Sequence, residues 1–542
     1  MRNFRIRKDG ALEKRWGYRF LMDLKAPITA IWTGSIEGKF RFYAVAGQKI
    51  FSLNVEDRTA KEIGTLSEDV THVCFFYYQD TLFLVDGKHI WDIRQDVPME
   101  VQGYAPLIGK DWNNRSVGEF HEKRNLLTRR ARISYIISDP PSIFMSLDAP
   151  LESVDAVYVN DQEYSAENYY YDASFQTVNI MNLSAGDRVT IYITYAEGND
   201  TLREQLLSST RSVLYGGANQ NRVFLWGDEK SGKIFCSSYV DRAKRKESAR
   251  AYSDSCALYF PDGSEFSVGK GGERVCAAQP NYDCLMIFSE NDVWIANDTS
   301  SGFDEFPTTL VNARLGCASI GGATLAENDV ISVGDGTIRK WLAGSDRFLE
   351  RNAVRISQAI DPLLSPEDFT TMGLYYDQRQ NELWLNVRNR QEIWVYHMTY
   401  QQWVCFEKID ADEIFDVDGM TAFLKGSKIY VFDPQMMLDG VSDTELNPIV
   451  AEYISEITDF GTEARKNLSH LTMHADTDGD PILVTFVGNG TPSVSRQLSD
   501  PKHDHTIFQR RFPSGGFRHG YVQIQTAGNG RPTIHSLTLN TR

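Results

Sequence analysis

Cysteine is scarce in this chain of 542 residues: seven, an odd number, with no Cys-x-x-Cys pair. That excludes a disulfide framework and a zinc-ribbon or redox motif. Cys74, Cys236, Cys256, Cys276, Cys284, Cys317 and Cys405 are scattered through apolar stretches. They read as buried, reduced thiols of a chain that folds in a reducing cytosol. Long apolar runs are missing too. Nothing approaches the roughly eighteen residues a membrane span needs, and the start, MRNFRIRKDG, carries charge without the apolar centre of a secretory signal. The expectation is a chain without a membrane anchor. Positive charge is the minority sign, 56 Lys and Arg against 73 Asp and Glu, for a net charge of -17. Such a surface excludes clamping nucleic acid through phosphate neutralisation, yet suits a wall past which DNA slides without sticking. Helical periodicity is also thin, with short helices expected only near 202–209 and 362–369.

Local catalytic and cofactor motifs are absent or broken. There is no GxSxG elbow and no HExxH. The stretch GDEKSGK at 227–233 has the glycine and lysine spacing of a phosphate loop, but Ile234 stands where the magnesium-holding hydroxyl belongs and the chain continues as a strand. It reads as a hairpin tip. DTDGDP places Asp476, Asp478 and Asp480 like the front of a calcium loop. Pro481 and Val487 then occupy the positions that need Gly and a bidentate Glu, so the reading is an acidic turn. His503 and His505 are two apart in a polar stretch and read as a solvated loop. His72, His89 and His121 have no acid pair beside them. No cofactor, metal or catalytic residue is assigned.

What is present is a repeat. Val45, Gly47, Ile50, Phe51 and Leu53 in VAGQKIFSL are matched forty positions on by Val85, Gly87, Ile90, Trp91 and Ile93 in VDGKHIWDI. Each reads as two short strands about a tight turn. Looser copies surround Ile234-Phe235, Val293-Trp294, Ile338, Ile393-Trp394 and Ile429-Tyr430. A strand-only repeat of roughly forty residues is the signature of propeller blades, because one small sheet cannot bury both its faces. The aromatic fraction, 12%, falls mostly in alternating segments such as FFYYQDTLFLV and NELWLNV, where blade cores need it.

The fold class expected is therefore all-β: a β-propeller of six or seven blades, with an inserted β-sandwich and a C-terminal β-sandwich. The expected boundaries are 1–108 for the first blades and a basic N-terminal arm, 109–132 for a crossover, and 133–200 for the inserted sandwich. The remaining blades follow over 201–449 and the second sandwich over 450–542. The strand closing the propeller is expected from one terminus. The arm, basic in an acidic chain, reads either as a docking strand for an acidic neighbour or as a solvated tail. Arg2, Arg5, Arg7 and Lys8, with Arg129, Arg130 and Arg132 of the crossover, are the candidate assembly contacts.

Several phrases, in order, resemble the propeller-bearing tail proteins of short-tailed bacteriophages, the packaged-DNA stabilisation and tail nozzle family. They are DGALEKRWGY at 9–18; Asn221-Arg222-Val223-Phe224 with Trp226-Gly227; Arg314-Leu315-Gly316-Cys317; VGDG at 333–336; Arg355-Ile356 with Ile360-Asp361; and ITDFGTEARKNLSHLTMHADTDGD. The resemblance implies a virion structural protein made in the host bacterial cytoplasm. It implies a self-associated, hexameric ring below the portal and adaptor, touching other tail proteins and passing double-stranded DNA without binding it specifically. Two other readings stay open, a propeller that binds a carbohydrate or receptor, and a propeller hydrolase or lyase.

Overall fold

The computed structural model describes residues 1–541 apart from 68–69, 71, 139–143, 217–220, 229–231, 254–257, 270–272, 298–305, 343–352, 500–505 and 513, and apart from the side chains of 95, 492 and 493. Among the described residues, six sheets are four-stranded antiparallel meanders and a seventh is a three-stranded meander completed by a strand from the N-terminal region. Blades 1 to 4 begin at Ile28–Ile36, Cys74–Tyr78, Arg211–Tyr215 and Val275–Asn281; blades 5 to 7 begin at Ala323–Ala326, Gly373–Asp377 and Glu413–Val417. The chain has a β-propeller fold, and the seven blade-like sheets among the described residues fall within the expected six or seven. Each of the seven hairpins seen in the sequence is the turn between the second and third strands of one blade. In blade 5 that turn is Asp335-Gly336, with φ of 49° and 69°, the left-handed pair that a two-residue hairpin requires.

A blade is covered on both faces, so its strands are apolar throughout while alternate residues serve opposite neighbours. Arg222–Trp226 of blade 3 illustrates this. Val223 and Leu225 join Phe76, Phe83 and Val85 of blade 2, whereas Phe224 and Trp226 join Leu285, Ile287 and Ala296 of blade 4.

Two compact units divide the chain. One comprises 1–28, 53–60 and 317–542, and the other 29–52 and 61–316. Within the second, the inserted sandwich packs a five-stranded sheet on a three-stranded one about Ile133, Tyr135, Met145, Val178 and Ile191. Its first strand, Leu107–Asn113, lies parallel to Arg130–Ile136. This corrects the expected crossover of 109–132, whose opening residues are already sandwich. Parallel neighbours need a long connection, and the polar stretch after Asn113 supplies it. Helices run Asp200–Leu207 and Asp361–Leu364, as expected, and also Arg242–Ser248, whose all-polar sequence shows no apolar face.

In the first unit, Ile331, Val333 and Ile338 of blade 5 pack on Leu383 and Leu385 of blade 6. Trp384 and Phe406 on its other face meet Phe423 and Phe432 of blade 7. The outer strand of blade 7 is Tyr18–Asp23, paired with Lys428–Phe432, so the closing strand is indeed borrowed from the N-terminal region. Most of the arm before it is folded into the chain, while residues 7–10 are exposed. Phe4–Ile6 and Leu12–Lys14 form a hairpin that joins Thr533–Thr541, Leu468–Asp476 and Thr506–Arg511 in one sheet of the C-terminal sandwich. That domain is thus 450–542 plus an N-terminal hairpin.

Candidate functional site: a groove between sheet edges

The basic character of the first fifteen residues is answered inside the chain. Arg5 donates to Glu382 at 3.0 Å and lies 3.8 Å over the Trp16 ring. Lys14, fully buried, donates to Asp480 at 3.2 Å and to the Gly528 carbonyl at 2.7 Å. Arg15 grips Asp439 with both ends of its fork, at 2.8 and 2.6 Å. Burial holds the Lys14 ammonium below its ordinary pKa against the pull of Asp480, and pushes the Glu382 carboxyl up against the pull of Arg5.

Arg5 therefore leaves the set of candidate assembly contacts, because its guanidinium is committed internally. Arg132 leaves it for the same reason, being buried on the Ala105 carbonyl and the Tyr104 hydroxyl, each at 3.0 Å. Arg2, Arg7, Lys8 and Arg129 are exposed. Arg2 meets Glu407 at 3.1 Å, Arg7 meets Asp9 at 3.3 Å, and Arg129 meets Asp200 at 2.6 Å. Arg130 is half-buried over the Tyr252 ring.

The imitated motifs resolve the same way. GDEKSGK links strand Arg222–Trp226 to strand Lys233–Cys236, with no helix after it, while 229–231 lie outside the described residues. In DTDGDP, Asp476 accepts the Asp478 N–H, Asp478 accepts the Arg531 N–H, and Asp480 takes Lys14. The turn's cation is a lysine of the same chain. His503 and His505 lie outside the described residues.

One ligand-like group was not legible in the sequence. Glu392, Cys405 and Glu407 bring their ligand atoms within 4.8 Å of one another, because the two glutamates are cross-strand partners in blade 6. Arg390 and Arg2 each reach one of these carboxylates at 3.1 Å, and the Trp394 indole N–H reaches Glu392 at 3.2 Å. Burial, with the two carboxylates, pushes the Cys405 thiol well up and keeps it protonated. The arrangement is a neutralised like-charge pair.

Beside it opens a groove of about 1240 Å³. Its walls are strands at sheet edges: Ala353–Arg355 of blade 5, Gln402–Glu407 of blade 6 and Ala451–Ile454 of the C-terminal sandwich. Trp394, Tyr396 and Trp403 line it, with Leu342, Val354 and Ile454 exposed along it. Lys340 and Arg355, which line it, pair with Asp329 and Asp361, and Met1 and the exposed Glu456 line it as well. Polar and apolar side chains share the lining, and the sheet edges beside it offer backbone donors and acceptors in a row.

No protein-family profile matches the sequence, and no curated protein matches it either. The fold does have likenesses among solved structures. PorZ, described as an essential bacterial surface component of the type-IX secretion system of Porphyromonas gingivalis, is 10% identical over 80% of this chain, with a TM-score of 0.36. This chain spans 40% of PorZ. The AfRom2 CNH domain is 7% identical over 78% of this chain and 99% of its own, at 0.37. Hsv2 of Kluyvelomyces marxianus is 9% identical over 71% of this chain and 97% of its own, at 0.25. Likenesses this distant leave the fold to be read from the sheets themselves.

Proposed function

We propose that this chain is a structural protein of a bacteriophage tail. In this reading it is a subunit of the ring or nozzle below the portal and adaptor, forming part of the conduit that retains packaged DNA and then passes it. The observation that carries the reading is where the resembling phrases fall. DGALEKRWGY covers the turn and second strand of the N-terminal hairpin and the first residue of the closing strand of blade 7. Asn221 to Gly227 contains the second strand of blade 3, and VGDG is the central turn of blade 5. Arg355 to Asp361 ends blade 5 and starts a helix. What supports the reading is that these phrases fall in order on a closing hairpin, a blade strand, a blade turn and a blade end.

The physical properties agree with a building part. A rigid propeller carrying two sandwiches offers distinct surfaces to lateral and axial neighbours, as a ring built from heterologous contacts requires. A net charge of -17 keeps DNA moving through a lumen. Ring formation would bury well over ~1,000 Å² at each contact. The test is the parent particle. Mass spectrometry and antibody labelling of purified virions are expected to find the chain at fixed copy number at the tail, and particles assembled without it are expected to package DNA and lose it. Virions that lack the chain, or that hold their DNA equally well without it, overturn the reading.

A further inference from the structure

The three-stranded sheet of the inserted sandwich turns aromatic rings outward. Its strands are Phe144–Ser146, Thr177–Ile180 in the centre, and Tyr169–Asp172. Val178 and Ile180 are fully buried in the sandwich core, so alternation along the strand turns Thr177 and Asn179 to the outer face. Asn179 is the cross-strand partner of Phe144 on one side and of Tyr170 on the other. These two rings are 42% and 55% exposed, and Phe175, at the tip of the hairpin, is 78% exposed. One strand repeat away, about 7 Å, Thr177 stands opposite Asp172.

Asn179 itself is only 8% exposed, yet its side-chain amide has no hydrogen bond among the described residues. A nearly buried amide without a partner is costly, and a ligand that supplies the bond recovers that cost. Asp172 accepts the Ser174 and Phe175 N–H groups at Oδ1. Its Oδ2 and the Thr177 hydroxyl are unpaired among the described residues. Rings interleaved with an amide, a hydroxyl and a carboxylate suit a sugar. The C–H groups on the face of a pyranose carry partial positive charge and settle on the negative face of an aromatic ring, while the hydroxyls at its rim both donate and accept. An apolar protein surface laid here would cover the polar groups without pairing them. The Asp172 carboxylate, in a chain of net charge -17, repels an acidic glycan.

We propose that this face binds a neutral glycan of pyranose units whose hydroxyls are equatorial, the arrangement that leaves the ring's C–H groups free to stack. Tyr170 and Phe144 carry the sugar faces, Asn179 pairs with a hydroxyl between them, and Asp172 and Thr177 take hydroxyls in the next row. The site lies on the inserted sandwich, off the propeller, and stands whether or not the chain is a tail protein.

The test titrates the whole chain with two probes, a hexamer of β-1,4-linked glucose and a hexamer of galacturonic acid, read by calorimetry and by saturation-transfer NMR. The glucose hexamer is expected to bind with a dissociation constant on the order of 1 mM or tighter, and the acidic hexamer not to bind. Tyr170→Ala is expected to weaken glucose-hexamer binding at least about tenfold. Asn179→Leu is expected to weaken it about fivefold while leaving the unfolding midpoint unchanged or higher, because the amide has no partner to lose. No binding of the glucose hexamer overturns the site, and binding untouched by Tyr170→Ala places the sugar elsewhere and overturns it equally. Equal binding of the acidic hexamer overturns the neutral ligand. A marked fall in the midpoint of Asn179→Leu overturns the free amide. Self-association of the chain that Tyr170→Ala abolishes, with no sugar bound, makes the face a contact between copies and overturns the glycan.

Discussion

Lys14 and Asp480 are 466 positions apart and meet at 3.2 Å in the interior, the lysine with no exposed surface at all. This pair and its neighbours, Arg5 with Glu382 and Arg15 with Asp439, tie the first fifteen residues to blade 6, to the segment after blade 7 and to the C-terminal sandwich. The N-terminal segment is a closing piece in two senses, since it completes one sheet of the sandwich and leads directly into the last strand of the propeller.

Breaking one side of a buried pair leaves the other charge without solvent or partner. Lys14→Met is expected to cost about 3–5 kcal/mol, whereas Lys14→Met combined with Asp480→Leu recovers most of that loss. Denaturant midpoints of the three proteins check the sign and the non-additivity.

Gly17 sits where the closing piece passes the segment after blade 7. Its N–H donates to the Met436 carbonyl and its carbonyl accepts the Asp433 N–H. A Cβ placed there overlaps the Leu438 carbonyl. Gly17→Ala is expected to destabilise by about 2 kcal/mol or more through this collision, measured as a fall in the unfolding midpoint.

His397 is the cross-strand partner of Glu382 and accepts the Tyr400 N–H at Nδ1. Burial first, then the Arg5 guanidinium, hold it below its ordinary value of 6.5. The unfolded chain therefore binds more protons than the folded one as pH drops through that value, and stability falls with it. Between about pH 7.5 and about pH 5.5 the unfolding midpoint is expected to decline, and His397→Gln is expected to flatten that decline.

Besides Arg2, whose guanidinium pairs with Glu407, the exposed cations among the candidate contacts are Arg7, Lys8 and Arg129. Under the tail reading, reversing them to glutamate is expected to leave the unfolding midpoint nearly unchanged and to lower incorporation into particles severalfold. Quantifying the chain in purified particles is the check; unchanged incorporation removes these residues from the assembly surface.

The sequence showed the blades because their signal is local. A turn such as Asp335-Gly336 and the strands beside it declare themselves within a dozen residues, and all seven hairpins kept that meaning. The inserted sandwich was legible from its alternation, except for Leu107–Asn113, whose partner lies parallel and beyond a polar connection. The role of the N-terminal charges was not legible. Glu382, Asp480 and Asp439 lie 377, 466 and 424 positions from their partners, and nothing near Arg5, Lys14 or Arg15 names them. The groove was hidden for the same reason. An open edge at Trp403 or Ile454 exists only once the strands around it have paired.

The central claim is that the basic start of the chain is an interior part of the fold. Amide hydrogen exchange of the intact protein tests it without any substitution. Asn3, Lys14 and Arg15, whose N–H groups donate to Cys405, Pro532 and Asn3, are expected to exchange as slowly as the strands of blade 6. Exchange of these three amides at the rate of an unstructured peptide, with blade 6 still protected, would contradict the account.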